Sequence, residues 1–287
     1  MANKVKEFKC LEKVIKCWNN KGKIASNLHQ ILVNNRKLID YDNERPDIII
    51  NSETEVMGIE HCRADMFFRI KRKRAQSMIG IHESEGEKLV EKYEDEELLD
   101  EDIRNGNALN SILSIVEDGF DIRNNFKYEN FIDNFKRVCN EHNNKSKDYR
   151  VRLNEIAKNK QYTLACLIEI PYTKERNYYI KDSKGLRKQS LNGIPITWDM
   201  LKTIQGMQGF DFVILCMYNL YDVESVQDYV CYYFVPKFIE VCIKQQIINP
   251  VNSFGLTKYP HISFPPDKYS IDEEGKITFI TEYSFKS

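Results

Sequence analysis

The sequence predicts an α/β protein, and three observations carry that prediction. Apolar runs of strand length, rich in β-branched residues, occur at 48–50, 162–170 and 212–218. Apolar residues at helical spacing (Phe8, Leu11, Val14, Ile15 and Trp18) mark an amphipathic helix ahead of the first of them. Between the first and second strand groups lies a charged, helix-like stretch from about 75 to 160, which reads as an insertion within one interrupted domain.

The elements follow in order. A helix is expected over 5–18, then a break at Asn19-Asn20-Lys21-Gly22, then a second short helix over 24–33 with Ile24, Leu28, Ile31 and Leu32 on one side. Ile48-Ile49-Ile50 follows Pro46 and precedes Asn51-Ser52, the signature of a buried strand. A polar turn, Ser52-Glu53-Thr54-Glu55, leads to a second strand at 56–62, so the two should pair as a hairpin. Helices are expected at 107–117 and 128–141. In the next helix Thr197 is placed to accept a first-turn amide and Asp199 to favour the positive end of the helix dipole. Residues 226–246 read as a helix or a strand followed by a helix, and a terminal hairpin should turn around Glu274-Gly275. The expected parts are therefore 1–74 and 161–287 for the α/β core, with 75–160 as the charged helical insertion.

Composition excludes several classes. The chain of 287 residues is 42% hydrophobic and 30% charged, with a net charge of −1, so overall charge names no partner. No apolar run reaches 18 residues and the first residues lack an apolar leader, which points to a cytoplasmic protein with no membrane contact. Of the eight cysteines, Cys166, Cys216, Cys231 and Cys242 sit in apolar segments, where a thiol behaves as a small hydrophobe. With no CxxC pair and no His at zinc-ligand spacing, the spacing argues against a structural zinc site. No GxSxG, Walker A or GxGxxG motif occurs.

The informative segment is Arg45-Pro46-Asp47-Ile48-Ile49-Ile50, followed by Gly58-Ile59-Glu60-His61-Cys62. Asp47 opens one strand and Glu60 lies on the next, so hairpin pairing would bring both carboxylates to one place. Two converging carboxylates suit a hard cation such as Mg²⁺, which takes one or two carboxylates and keeps several waters. Such an ion polarises a phosphoryl oxygen and acidifies bound water.

On Pro46-Asp47, the apolar strand, the separation to Glu60 and the preceding helix, the first 60 to 70 residues resemble the PD-(D/E)xK nuclease superfamily, which includes restriction endonucleases. The resemblance implies a restriction-endonuclease-like central mixed sheet flanked by helices, here with a large helical insertion. It implies a metal-dependent DNA endonuclease, a hydrolase of phosphodiester bonds, of the kind found in bacterial defence and mobile elements. It also implies Mg²⁺ or Mn²⁺ held by Asp47 and Glu60, with the backbone carbonyl of His61 completing the shell. Glu12, or more weakly Glu7, would be the helix acid that assists in some members, and Gln76 a polar helper. The pattern departs at Cys62, where the superfamily carries a lysine that stabilises transition-state charge. Arg63, Lys71 or Lys73 would have to supply that cation, although strand alternation turns Arg63 away from Glu60. Metal alone, or no catalysis at all, are the other outcomes.

Other features have two readings each. The basic cluster Arg69, Lys71, Arg72, Lys73 and Arg74 suits DNA phosphates, or else a solvated helix start. The stretch 83–102, with eleven acidic residues and two lysines, suits a solvated helix or a protein-binding surface. Glu169 in an apolar strand requires a partner, for which Lys174 or Arg176 are nearest in sequence. Aromatics from Tyr218 to Phe234 suit core packing before base stacking. His82 and His142 suggest no catalytic pairing. The expected partners are DNA, a protein through the acidic stretch, and a second copy of the chain; the alternative function is a catalytically inactive nuclease-like binding or inhibitor protein.

Overall fold

The computed structural model describes residues 9–17, 39–40, 45–71, 74–93, 101–108, 110–111, 114, 126–172, 178–182, 184–189, 193–219, 229–256, 269–271 and 277–279. The chain forms two compact units. One comprises residues 1–66 and 127–255, and the other 67–126 and 256–287. These units do not coincide with the expected core and insertion: 127–160 belongs to the first unit, and 67–74 and 256–287 to the second.

The first unit is α/β. Helix α1 spans 9–17, and the strands are β1 (Ile39–Asp40), β2 (Ile48–Asn51) and β3 (Glu55–Arg63). The long helix here termed α3 (Tyr128–Ala157) and strand β6 (Gln161–Tyr172) follow, with α4 (Trp198–Gly206), β9 (Phe212–Asn219) and β10 (Val230–Phe234) later. They build a mixed six-stranded sheet in the order β1-β2-β3-β6-β9-β10. β2 and β3 form the expected antiparallel hairpin, with Ile48 opposite Ile59 and Asn51 opposite Val56. β3 pairs parallel with β6, from Glu55 opposite Gln161 to Arg63 opposite Glu169. β6 pairs parallel with β9, and β10 closes the sheet antiparallel to β9. The interior strands are buried on both faces, which explains their near-continuous apolar runs.

Helices cover the two faces. On one face, Cys10, Leu11, Val14, Ile15 and Cys17 of α1 pack with Ile48, Ile50, Met57, Ile59, Ala165 and Leu167. On the other lies α3, whose Phe131, Phe135, Cys139, Tyr149 and Leu153 are buried along one stripe. The sequence placed a helix over 128–141; the stripe continues through Tyr149, Leu153 and Ala157, and the helix continues with it. The long helix is thus part of the sheet-bearing unit, packed directly on β3 and β6. Gly58 allows that approach. A Cβ there would lie 2.6 Å from Pro46 Cγ and 2.7 Å from Leu153 Cδ1.

Thr197 caps α4 as expected, its hydroxyl accepting from the Met200 amide at 3.3 Å. The region 226–246 resolves as β10, a 3₁₀ turn (Pro236–Phe238) and helix α5 (Ile239–Lys244). A three-stranded sheet of β11 (Ser253–Leu256), β7 (Tyr178–Asp182) and β8 (Gly185–Gln189) accompanies them.

In the second unit, β4 (Phe68–Lys71) and β5 (Arg74–Ser77) pair as a hairpin, and helix α2 (Met78–Lys92) follows, its first turn capped by the Ser77 hydroxyl accepting from the Gly80 amide at 2.8 Å. Of the basic cluster, Arg69, Lys71 and Arg74 are therefore on strands, not at the start of a helix, and Gln76 lies on β5. Strands β12 (Tyr269–Ile271) and β13 (Ile277–Phe279) form the hairpin expected near the end of the sequence. The expected helix at 24–33 and most of that at 107–117 lie outside the described residues. Among the described residues no helix is long and apolar enough to cross a membrane.

Candidate metal centre on strand β3

Strand alternation divides β3 into two chemistries. Gly58, Glu60 and Cys62 face α3, while Ile59, His61 and Arg63 face α1. The β2–β3 ladder begins at Ile48 opposite Ile59, so Asp47 falls opposite Glu60 and shares its face. Because β2 starts there, the His61 amide has no strand backbone to bond on that side. The Asp47 Oδ2 atom takes its place, accepting from the His61 N–H at 2.7 Å.

Glu60 is buried, with a side chain only 7% exposed. Its Oε1 accepts from the Tyr149 hydroxyl at 2.7 Å and from His142 Nδ1 at 3.0 Å, both on α3. Its Oε2 is buried with no hydrogen-bond partner among the described residues. Burial, then the Glu60 hydrogen bond and charge and the neighbouring Asp47 charge, push the Tyr149 phenol far above its ordinary range. Tyr149 thus remains a donor to the carboxylate, and both acids face it.

His142 is a correction to the sequence reading, which left it solitary. It is seven residues from Tyr149, two helical turns along α3, so both occupy one face of the helix and meet the same acid. The helical period could have joined these two; nothing in the sequence fixed which strand residue they would meet.

The position expected to hold a lysine is a buried thiol. Cys62 is 6% exposed and its sulfur lies 3.8 Å from that of Cys166. The Cys166 thiol is pushed well up by that hydrogen bond and by burial. All eight cysteines are free thiols.

The remaining predicted residues are dispersed. Arg63 pairs with Asp65 at 2.7 Å on the α1 side of the strand. Glu12 is half-buried on α1, on the face of the sheet opposite Glu60. Glu7, Arg72 and Lys73 lie outside the described residues, as do Lys174 and Arg176. Arg69, Lys71 and Arg74 have described backbone on β4 and β5, in the other unit. His82 is in α2 of that unit.

The α1 face holds a second cluster. His61 Nε2 meets Glu169 Oε2 at 3.1 Å, which identifies the partner that buried Glu169 requires. Burial alone would raise the Glu169 carboxyl, but the His61 hydrogen bond and charge, with Arg63 and Lys13, bring it below its ordinary range. Cys10 joins them: Cys10, His61 and Glu169 place one ligand atom each within 4.8 Å of one another, the single such trio of His, Cys, Asp or Glu among the described residues.

No protein-family model, curated protein or solved structure matches the chain.

Proposed function

We propose that the chain is a metal-dependent phosphodiesterase acting on DNA, built on a PD-(D/E)xK-like arrangement of Asp47 and Glu60. The observation that carries this reading is Glu60 Oε2, a buried carboxylate oxygen without a hydrogen-bond partner among the described residues, beside a second acid on the same face. An unmet buried oxygen is costly unless something takes it up. The donor set fits Mg²⁺ or Mn²⁺, which accept few carboxylates and complete their shells with water.

Asp47 and Glu60 would hold the ion, which would supply Lewis-acid polarisation of phosphate and an acidified water. The protein groups around it have distinct parts. Tyr149 and His142 fix Glu60 through Oε1 and leave Oε2 facing the site. In an extended strand the N–H and C=O of one residue point to the same side, so the His61 carbonyl faces the same edge as its Asp47-bound amide. With a thiol at Cys62 and Arg63 turned away, His142, bonded to Glu60, and Arg45, whose positive charge reaches Tyr149, are the groups placed to replace the missing lysine.

The test is cleavage of plasmid and single-stranded DNA with added Mg²⁺ or Mn²⁺. Asp47→Ala and Glu60→Ala should abolish cleavage, and His142→Ala should reduce it about a hundredfold or more. A folded wild-type chain that neither binds Mg²⁺ nor cleaves either substrate would overturn the reading. The specific observation favouring a non-catalytic binding protein on the same sheet is the thiol at Cys62, buried against Cys166 where a cation is needed. That second reading gains if metal binds and DNA cleavage stays absent.

A further inference from the structure

We propose that Cys10, His61 and Glu169 form a structural site for a thiolate-preferring transition-metal ion of the Zn²⁺ class, with Cys216, which lies outside the shell of those three but against Cys10, shifting in as fourth donor. This site lies on the α1 face of the sheet and stands independently of the nuclease reading.

The donors come from four elements: α1, β3, β6 and β9. His61 and Glu169 are brought together by parallel pairing, which sets Arg63 opposite Glu169 and leaves His61 one pleat behind on the same face. Cys10 reaches down from α1, and its thiol is hydrogen-bonded to Cys216 on the next strand. The 3.1 Å between His61 Nε2 and Glu169 Oε2 is close to the roughly 3.4 Å that separates two ligands about 2.1 Å from a tetrahedral ion. Cys10 and Cys216 are fully buried, and Glu169 and His61 have side chains 11% and 10% exposed. A site this enclosed suits a four-coordinate structural ion, with no open position for a substrate.

The burial rules out the competing use of the same atoms. A cysteine, a histidine and a glutamate in sequence contact resemble a nucleophile, base and orienting acid. Cys10 is 0% exposed and its thiol is pushed well up by the hydrogen bond to Cys216 and by burial, so no substrate reaches a thiolate there. A metal ion reverses that preference, since coordination releases the thiol protons to solvent and replaces them with a stronger bond.

Charge supports the assignment. Two thiolates, one carboxylate, a neutral imidazole and a divalent ion leave one net negative charge. Lys13 and Arg63, whose positive charges act on Glu169, stand ready to offset it. Sulfur and imidazole donors select Zn²⁺ over Mg²⁺, so the two faces of β3 would sort ions by donor softness. Sequence spacing gives no hint of this site, because its four donors are spread from residue 10 to residue 216 and no two share a short motif.

The experiment is Co²⁺ substitution of the purified, chelator-stripped full chain, followed in the near ultraviolet for the thiolate-to-cobalt charge-transfer band, with zinc content measured on untreated protein. The expected results are about one zinc per chain and a charge-transfer band in wild type. The band should fall to about half in Cys10→Ser and in Cys216→Ala, each of which removes one of two thiolates, vanish when both are replaced, need more cobalt to appear in Glu169→Gln, and persist in Cys231→Ser and in Glu60→Gln. Absence of a band in folded wild-type protein would overturn the site, as would a band left undiminished by Cys10→Ser. An unchanged band in Cys216→Ala would remove Cys216 from it. Should Cys10→Ser fail to fold, wild type alone still decides, through the band and a Zn²⁺-dependent rise in Tm. Loss of the band in Glu60→Gln would instead place the cobalt on the α3 face and overturn the assignment.

Discussion

The two faces of β3 differ by one residue of register and by almost everything chemical. Toward α3 the strand presents Gly58, Glu60 and Cys62, and the acid there is held by oxygen and nitrogen donors on a single helix. Toward α1 it presents Ile59, His61 and Arg63, and the polar cluster there is assembled from separate strands and a helix. One face offers hard oxygens with an unmet atom; the other offers sulfur, imidazole and carboxylate within one ligand shell. The comparison teaches that a single buried strand can keep two polar sites apart, because alternate side chains point through opposite sides of the sheet.

The largest effect that would break this comparison comes from steric room. Gly58 meets Pro46 and Leu153 so closely that an added methyl has no place unless one of them moves. Leu153 can turn aside, but the Pro46 ring is tied to the chain that positions Asp47. Gly58→Ala should cost about 3 kcal/mol, the upper part of the range for overpacking. Its neighbour on the other face, Ile59→Val, should cost about 1 kcal/mol, as a lost methylene does. Urea unfolding of both variants checks the ordering, and a Gly58→Ala chain more stable than Ile59→Val would show that α3 does not press on the strand.

A smaller effect tests what holds Glu60. Tyr149→Phe keeps the ring and removes the hydroxyl that donates at 2.7 Å, leaving His142 as the donor recorded on Oε1. The expected cost is about 2 kcal/mol, typical for a hydrogen bond to a buried charged group. Metal affinity on the α3 face should fall in parallel, while the cobalt band of the α1 face stays unchanged. Equal loss at both faces would mean that the sheet distorts as a whole and the two sites are not separate.

How much of this could be read from the sequence follows the range of each interaction. The β2–β3 hairpin, the Thr197 cap and the terminal hairpin were legible because each is set by residues within a few positions. Asp47 and Glu60 were legible as a pair for the same reason, since a short polar turn fixes their register. The placement of α3 was not, because Tyr149 and Leu153 look like any apolar positions until the sheet beneath them is known. His142 and Glu169 were misjudged from their neighbours in sequence: the former bonds an acid 82 residues away and the latter a histidine 108 residues away. Cys10 gave no signal at all, as a thiol in an amphipathic helix is indistinguishable from a small core residue.

The smallest expected effect is one of pH and belongs to the α1 face. The Glu169 carboxyl lies below its ordinary range in the folded chain, because His61, Arg63 and Lys13 outweigh the effect of burial. A group whose folded value is depressed contributes stability above its unfolded value, about 4.3 for a glutamate, and that contribution disappears as pH falls through the folded value. Glu169→Gln retains the shape and cannot ionise. In the chelator-stripped chain, wild type should therefore exceed Glu169→Gln by about 1 kcal/mol near neutrality, a gap of about 2–4 °C in Tm. The gap should close as pH falls below the unfolded value and through the lowered folded one, where the wild-type carboxyl takes up its proton. Thermal scans of both proteins from neutral to acid pH measure it. A gap that widens toward acid would have the wrong sign for a carboxylate stabilised by cations, and would mean that Glu169 is held in its protonated form.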